Sequence, residues 1–149
     1  MSGIILLDFG MAYDSSNVFA KILRGELPCI KLAEDAHTLA FLDVMPQAEG
    51  HALVICKESA ATLLDVSADS AAACIKMTQR IARAIKQALD VPGLRVMQFT
   101  GSAAGQTVPH LHFHIIPAHS GQPLGMHARN MAPAAELEAV AARIRAALT

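Results

Sequence analysis

Residues 105–117 read Gly105-Gln106-Thr107-Val108-Pro109-His110-Leu111-His112-Phe113-His114-Ile115-Ile116-Pro117. His110, His112 and His114 alternate with Leu111, Phe113 and Ile115. In an extended strand alternate side chains share a face. The spacing therefore predicts a strand over 109–117, with three imidazoles on one side and three large apolar groups on the core side. Same-face neighbours sit about 6.6 Å apart, from a rise of about 3.3 Å per residue. Neighbouring rings can thus serve one small substrate, and packing alone gives no reason for three imidazoles in register.

Two chemistries fit such a row. His-x-His on a strand can chelate zinc, and three histidines can form an open catalytic metal site. Three consecutive same-face positions span about 13 Å, however, which makes convergence on one ion awkward. The other chemistry is nucleophilic attack on phosphorus. A largely neutral imidazole keeps a lone pair at pH 7 and can form a covalent phosphorus–nitrogen bond. Its neighbours can then orient it, bind phosphoryl oxygens or protonate a leaving group. The preceding loop, Gly101-Ser102-Ala103-Ala104-Gly105-Gln106-Thr107, is built of small residues that let backbone amides approach a phosphate. Gln106 and Thr107 add neutral donors beside the histidines.

Outward from this segment, the chain divides into short strands and two long amphipathic stretches. Asn17 is a candidate N-cap for a helical turn carrying Phe19, Ile22 and Leu23, closed by Gly25. Strands are predicted over 29–34 and 37–43, with a turn at Glu34-Asp35, then a loop at 45–50 and a buried strand at 51–56. Ala71, Cys74, Ile75, Thr78, Ile81, Ala82, Ile85 and Leu89 recur at helical steps over 67–89. Ser67 is the candidate N-cap, and Pro92-Gly93 stops the pattern. Lys76, Arg80, Arg83 and Lys86 fall on other faces, as a solvated face requires. A strand over 94–99 and a helix over 134–148, with Leu137, Val140, Ile144 and Leu148 inward, complete the reading. This is an α+β domain with a mainly antiparallel sheet. It is organised as an N-terminal extension over 1–16 and one domain over 17–149.

The composition agrees with one ordinary domain. The chain has 149 residues, 53% hydrophobic and 17% charged, which disfavours disorder. Twelve basic against thirteen acidic residues leave a net charge of −1, so nothing here holds a nucleic-acid polymer by charge alone. Cys29, Cys56 and Cys74 form no C-x-x-C pair, and read as reduced, mostly buried thiols of a cytoplasmic protein. No apolar run approaches the roughly 20 residues of a membrane helix. Met1–Leu7 is apolar but lacks a basic flank and meets Asp8 early, so it reads as an arm or edge strand, not a signal peptide.

The run His110 to Ile116 matches the His-φ-His-φ-His-φ-φ signature, φ being hydrophobic, and the match extends further. Residues 19–28, Ala40-Phe41-Leu42-Asp43, Pro46, residues 50–55 and residues 105–110 follow in the same order. Over about 17–118 the chain resembles the Hint branch of the histidine triad (HIT) superfamily. The resemblance implies a HIT-like fold: a five-stranded antiparallel sheet, two main helices and here an extra N-terminal arm. It also implies a homodimer whose sheets join.

The implied activity is hydrolysis or transfer at the α-phosphate of a purine-preferring nucleotide conjugate, such as an adenosine phosphoramidate. It would proceed through a nucleotidyl-histidine, without cofactor or metal. By motif position, His112 is then the nucleophile, and His110 buttresses it through its backbone carbonyl. His114 meets phosphate or leaving-group oxygens, and His51 supports the triad. Gln106 and Thr107 hold the phosphate, and Asp43 the ribose. Val18, Phe19, Ile22, Phe41 and Val44 form the base cleft.

Dinucleoside polyphosphate hydrolysis and a nucleotide-binding dimer with little turnover remain open as alternatives. The chain departs from the pattern at three places. Asn17 and Ala20 stand where many members carry a zinc-binding Cys pair. Phe99-Thr100 stands where Asn is common, and Ala118-His119 where Arg is common. His119 and His127 read as surface residues.

Overall fold

A computed structural model describes residues 12–124 and 130–149. Met1 to Leu7 and His127, discussed above, lie outside the described residues. The order is α1 (Val18–Leu23), β1 (Lys31–Glu34), β2 (Thr38–Leu42), β3 (Ala52–Cys56), α2 (Ala68–Leu89), β4 (Gly93–Gln98), β5 (His112–Ala118) and α3 (Ala134–Ala147). All strand pairs are antiparallel, and the sheet runs β1-β2-β3-β5-β4. This is the five-stranded α+β arrangement that the resemblance implies.

Local chemistry sets the boundaries. The Asn17 side chain accepts the Ala20 amide at 2.9 Å and caps α1. Ser67 does the same for α2 through the Ser70 amide. The β1–β2 turn is held by Asp35 Oδ1, which accepts from the His37 amide, the Thr38 amide and the Thr38 hydroxyl. The end of α2 differs from the expected stop at Pro92-Gly93. Asp90 ends the helix by adopting the left-handed conformation at φ 50°, and its amide bonds the Lys86 carbonyl. On α2, Met77 and Ala84 join the buried face, whereas Ile75, expected inward, is half exposed.

β2 and β3 are buried along their whole length because both faces of the sheet are covered. Ala40, Leu42, Ala52, Val54 and Cys56 face α2 and α3 in the main core. Leu39, Phe41, Leu53 and Ile55 face the other way and pack with Phe19 of α1. The register puts His112 opposite Ile55, and His114 opposite Leu53 and Met97. Directly opposed residues share a face, so these imidazoles lie on the α1 side, while Phe113 and Ile115 enter the main core. Because β5 is flanked by β3 and β4, the histidine strand is held on both edges.

The strand itself is shorter than predicted. It begins at His112, whereas His110 and Leu111 precede it. There the Leu111 amide bonds the Ala60 carbonyl and the His110 amide bonds the Val108 carbonyl. Backbone partners outside the sheet therefore replace the ladder, although the alternation persists: Leu111 is wholly buried in the main core.

Candidate active site

The polar partners of His51, His110, His112 and His114 fix where their protons sit. His112 Nδ1 lies 2.6 Å from the His110 carbonyl oxygen. A carbonyl only accepts, so this nitrogen carries the hydrogen and the lone pair is left on Nε2. His110 Nε2 likewise donates to the Cys56 carbonyl at 2.7 Å, leaving Nδ1 as an acceptor. The Gln47 amide donates to His51 Nδ1 at 3.1 Å, which puts the His51 hydrogen on Nε2. That nitrogen is 3.0 Å from His114 Nδ1. A neutral His114 therefore carries its own hydrogen on Nε2. A backbone amide in the 45–50 loop thus sets two tautomers in series.

Burial keeps the key rings neutral. His112 is depressed to about pKa 4, chiefly by burial, with the His110 carbonyl pulling the other way and the His114 and His110 rings adding to the depression. His51 is also depressed to about 4, by burial first and by the neighbouring His112 second. His112 and His114 stand 5.0 Å apart between ring centroids, and His51 and His114 5.3 Å. Phe19 meets His112 edge-on at 4.9 Å and Phe41 at 5.7 Å. The aromatic wall is thus continuous with the nucleophile candidate.

Asp43 accepts the Met45 amide through Oδ1, and its pKa is raised by burial. Its other oxygen is 3.6 Å from His51 Nε2. With His51 neutral, that separation is neither an ion pair nor a proper hydrogen bond. Asp43, His51 and His114 each offer a ligand atom within 4.8 Å of the others, so they could hold a divalent cation. Such an ion would replace the 3.0 Å His51–His114 hydrogen bond. Asn17 and Ala20 offer no counterpart to a zinc-binding Cys pair: one caps α1 and the other is buried within it.

The other expected residues divide into two groups. Phe19, Phe41 and Ile22 gather in the small cluster under the histidine face. Val18 and Val44 are exposed. Thr107 is exposed beside the histidines. Gln106 departs from the expectation of a phosphate ligand. It is buried, its amide nitrogen donates to the Ala61 and Val108 carbonyls, and its oxygen accepts the Gly101 amide. Both donor hydrogens are consumed, so Gln106 shapes the loop instead. Gly105 beside it has φ 106°, a conformation that L side chains rarely adopt.

Two contacts were not foreseen. Phe99, in the Phe99-Thr100 pair that stands where Asn is common, lies 5.5 Å from His114 between ring centroids and walls that side of the site. Tyr13, the single tyrosine of the chain, reaches His110 Nδ1 through its hydroxyl at 2.6 Å. The Tyr13-x-x-x-Asn17 spacing was the available signal, and it has meaning only once α1 is placed.

The comparisons accord with this geometry. The HIT domain profile matches residues 24–121. Adenosine 5'-monophosphoramidase hnt1 of Schizosaccharomyces pombe is 45% identical over 102 residues, covering 68% of this chain and 74% of that protein. A solved structure of a Hit-like protein involved in cell-cycle regulation from Bartonella henselae is similar at TM-score 0.87. It is 45% identical, and the match covers 92% of this chain and 99% of that one. A hypothetical histidine triad nucleotide-binding protein from Sulfolobus tokodaii gives TM-score 0.80 at 31% identity, over 87% and 90% of the two chains. With its triad, its sheet order and these relatives in agreement, the chain belongs to the HIT domain family.

Proposed function

We propose that the protein is a nucleotide hydrolase and nucleotidyl transferase that cleaves nucleoside phosphoramidates, adenosine-type conjugates foremost, at the α-phosphate. One observation carries this reading: the His110 carbonyl accepts a hydrogen bond from Nδ1–H of a buried, neutral His112, which leaves the lone pair on Nε2. That nitrogen attacks phosphorus, and the bond from phosphorus to the leaving amine breaks. His114 Nε2–H donates a hydrogen bond to the leaving nitrogen, which departs as the amine by taking a proton from solvent. Water then attacks the nucleotidyl-histidine and releases its proton to solvent. The phosphorus–Nε2 bond breaks, and the monophosphate leaves with the His112 lone pair restored. The Phe19 and Phe41 wall takes the base, and Asp43 the ribose hydroxyls. The step needs no metal. Edge strand β4 is the surface through which two copies join.

The test is His112→Ala, assayed with a fluorogenic adenosine phosphoramidate. Turnover falls by about a thousandfold or more while nucleotide binding persists. Turnover at the wild-type level removes His112 as nucleophile. A wild type that binds nucleotide but cleaves neither a phosphoramidate nor a dinucleoside polyphosphate makes the protein a binding module. Loss of activity on exhaustive chelation, restored by added metal, would bring Asp43, His51 and His114 forward as a metal site.

A further inference from the structure

The carbonyl that orients His112 belongs to a residue outside the β ladder. His110 precedes β5, so no strand neighbour fixes its backbone from both sides. Its ring is anchored instead. Nε2 donates to the Cys56 carbonyl at 2.7 Å, and Nδ1 faces the Tyr13 hydroxyl at 2.6 Å. With Nε2 carrying the hydrogen, Nδ1 can only accept, so the phenol must donate to it. The phenol oxygen in turn accepts from Asn17 Nδ2 at 2.9 Å.

Asn17 is itself fixed. Its Oδ1 caps α1, and its Nδ2 also donates to the Asp14 carbonyl at 2.7 Å. Arg24 ties the same segment down by donating to the Ser15 carbonyl at 2.8 Å. The chain ahead of α1 is therefore linked, bond by bond, to the triad. Burial raises the Tyr13 pKa above its usual value, so the phenol keeps its hydrogen at neutral pH.

We propose that Tyr13, steered by Asn17, is a positioning residue: it clamps the His110 ring so that the His110 carbonyl holds His112 in its attacking orientation. The proposal rests on the reading of His112 as nucleophile. Tyr13 touches neither His112 nor, on this account, the substrate, so its effect falls on kcat. Misplacement of a reacting group by a fraction of an ångström costs rate far more than binding.

The experiment uses the full chain with Tyr13→Phe and Asn17→Asp. The first removes only the hydroxyl. The second keeps an N-cap acceptor but replaces the amide donor with a carboxylate, which draws the phenol hydrogen away from His110. Both variants lose about tenfold in kcat on the adenosine phosphoramidate, with KM within twofold of wild type.

In 15N-labelled protein without substrate, the His110 Nδ1 resonance moves in both variants towards that of an imidazole nitrogen that accepts no hydrogen bond. A role limited to stability would lower the melting temperature and leave kcat in place. An unmoved resonance overturns the clamp whatever the reaction proves to be. A moved resonance with unchanged kcat overturns its positioning role. An inactive wild type with a moved resonance retains the clamp and places the fault in the assigned reaction, whereupon the claim about His112 orientation falls with that reaction.

Discussion

At the scale of single residues, the site depends on imidazoles that stay neutral because they are buried. His51 and His112 both fall from an ordinary 6.5 to about 4. The sign of the consequence follows directly. Between about pH 6.5 and 4 the unfolded chain takes up protons on these two rings that the native state refuses. Stability is therefore fully present above 6.5 and is lost progressively as pH falls through 4. The loss is on the order of 3 kcal/mol for each ring. Urea melts across that range check this: a midpoint that is flat above pH 7 and drops below 6.5 is expected, and a midpoint independent of pH from 7 to 4 contradicts it.

The row of histidines was legible in the sequence because period-two spacing is a purely local property. The proton positions were not, because they depend on the Cys56 carbonyl and the Gln47 amide, which only folding brings close. Gln106 shows the same limit. Its residue type suits a phosphate ligand, but its inward turn is dictated by carbonyls at Ala61 and Val108.

At the scale of elements, caps and periodicities carried most of the fold. Asn17 and Ser67 cap as their positions suggest, and α2 and α3 bury the stripes that helical spacing predicts, Ile75 excepted. The departures lie where tertiary partners override local pattern. His110 keeps the alternation of a strand but bonds outside the ladder, and Asp90 accepts a left-handed backbone usually left to glycine.

Gly50 marks a junction between elements. It has φ 91°, and a Cβ there would approach Leu89 Cδ1 to 2.5 Å, just ahead of His51. Gly50→Ala is expected to cost about 1–3 kcal/mol, mostly from the backbone conformation, since the Leu89 side chain can shift. Chemical denaturation measures it, and a change below a few tenths of a kcal/mol would show that the loop relaxes freely.

At the scale of the whole molecule, two surfaces matter. One is the sheet face shared by α1 and the histidines, where the small cluster of Phe19, Leu39, Phe41, Leu53 and Ile55 supports the site. The other is the β4 edge, where Val96 is half exposed. Unpaired strand edges recruit partners unless they are blocked, which agrees with a dimer joined there. Sedimentation equilibrium should give twice the chain mass for wild type and the single mass for Val96→Lys. A wild-type monomer would remove the dimer from the account. Among the described residues no helix is long and apolar enough to cross a membrane.

The claim that His112 becomes covalently bonded to phosphorus is tested most directly by trapping. The enzyme is mixed with an adenosine phosphoramidate, quenched by denaturant at neutral or basic pH to spare the acid-labile phosphorus–nitrogen bond, and mapped by peptide mass spectrometry. The account predicts a transient adenylyl group on His112 that is absent from His112→Ala. The same group on another side chain, or full turnover in a single step with inversion at phosphorus and no adduct, would contradict it.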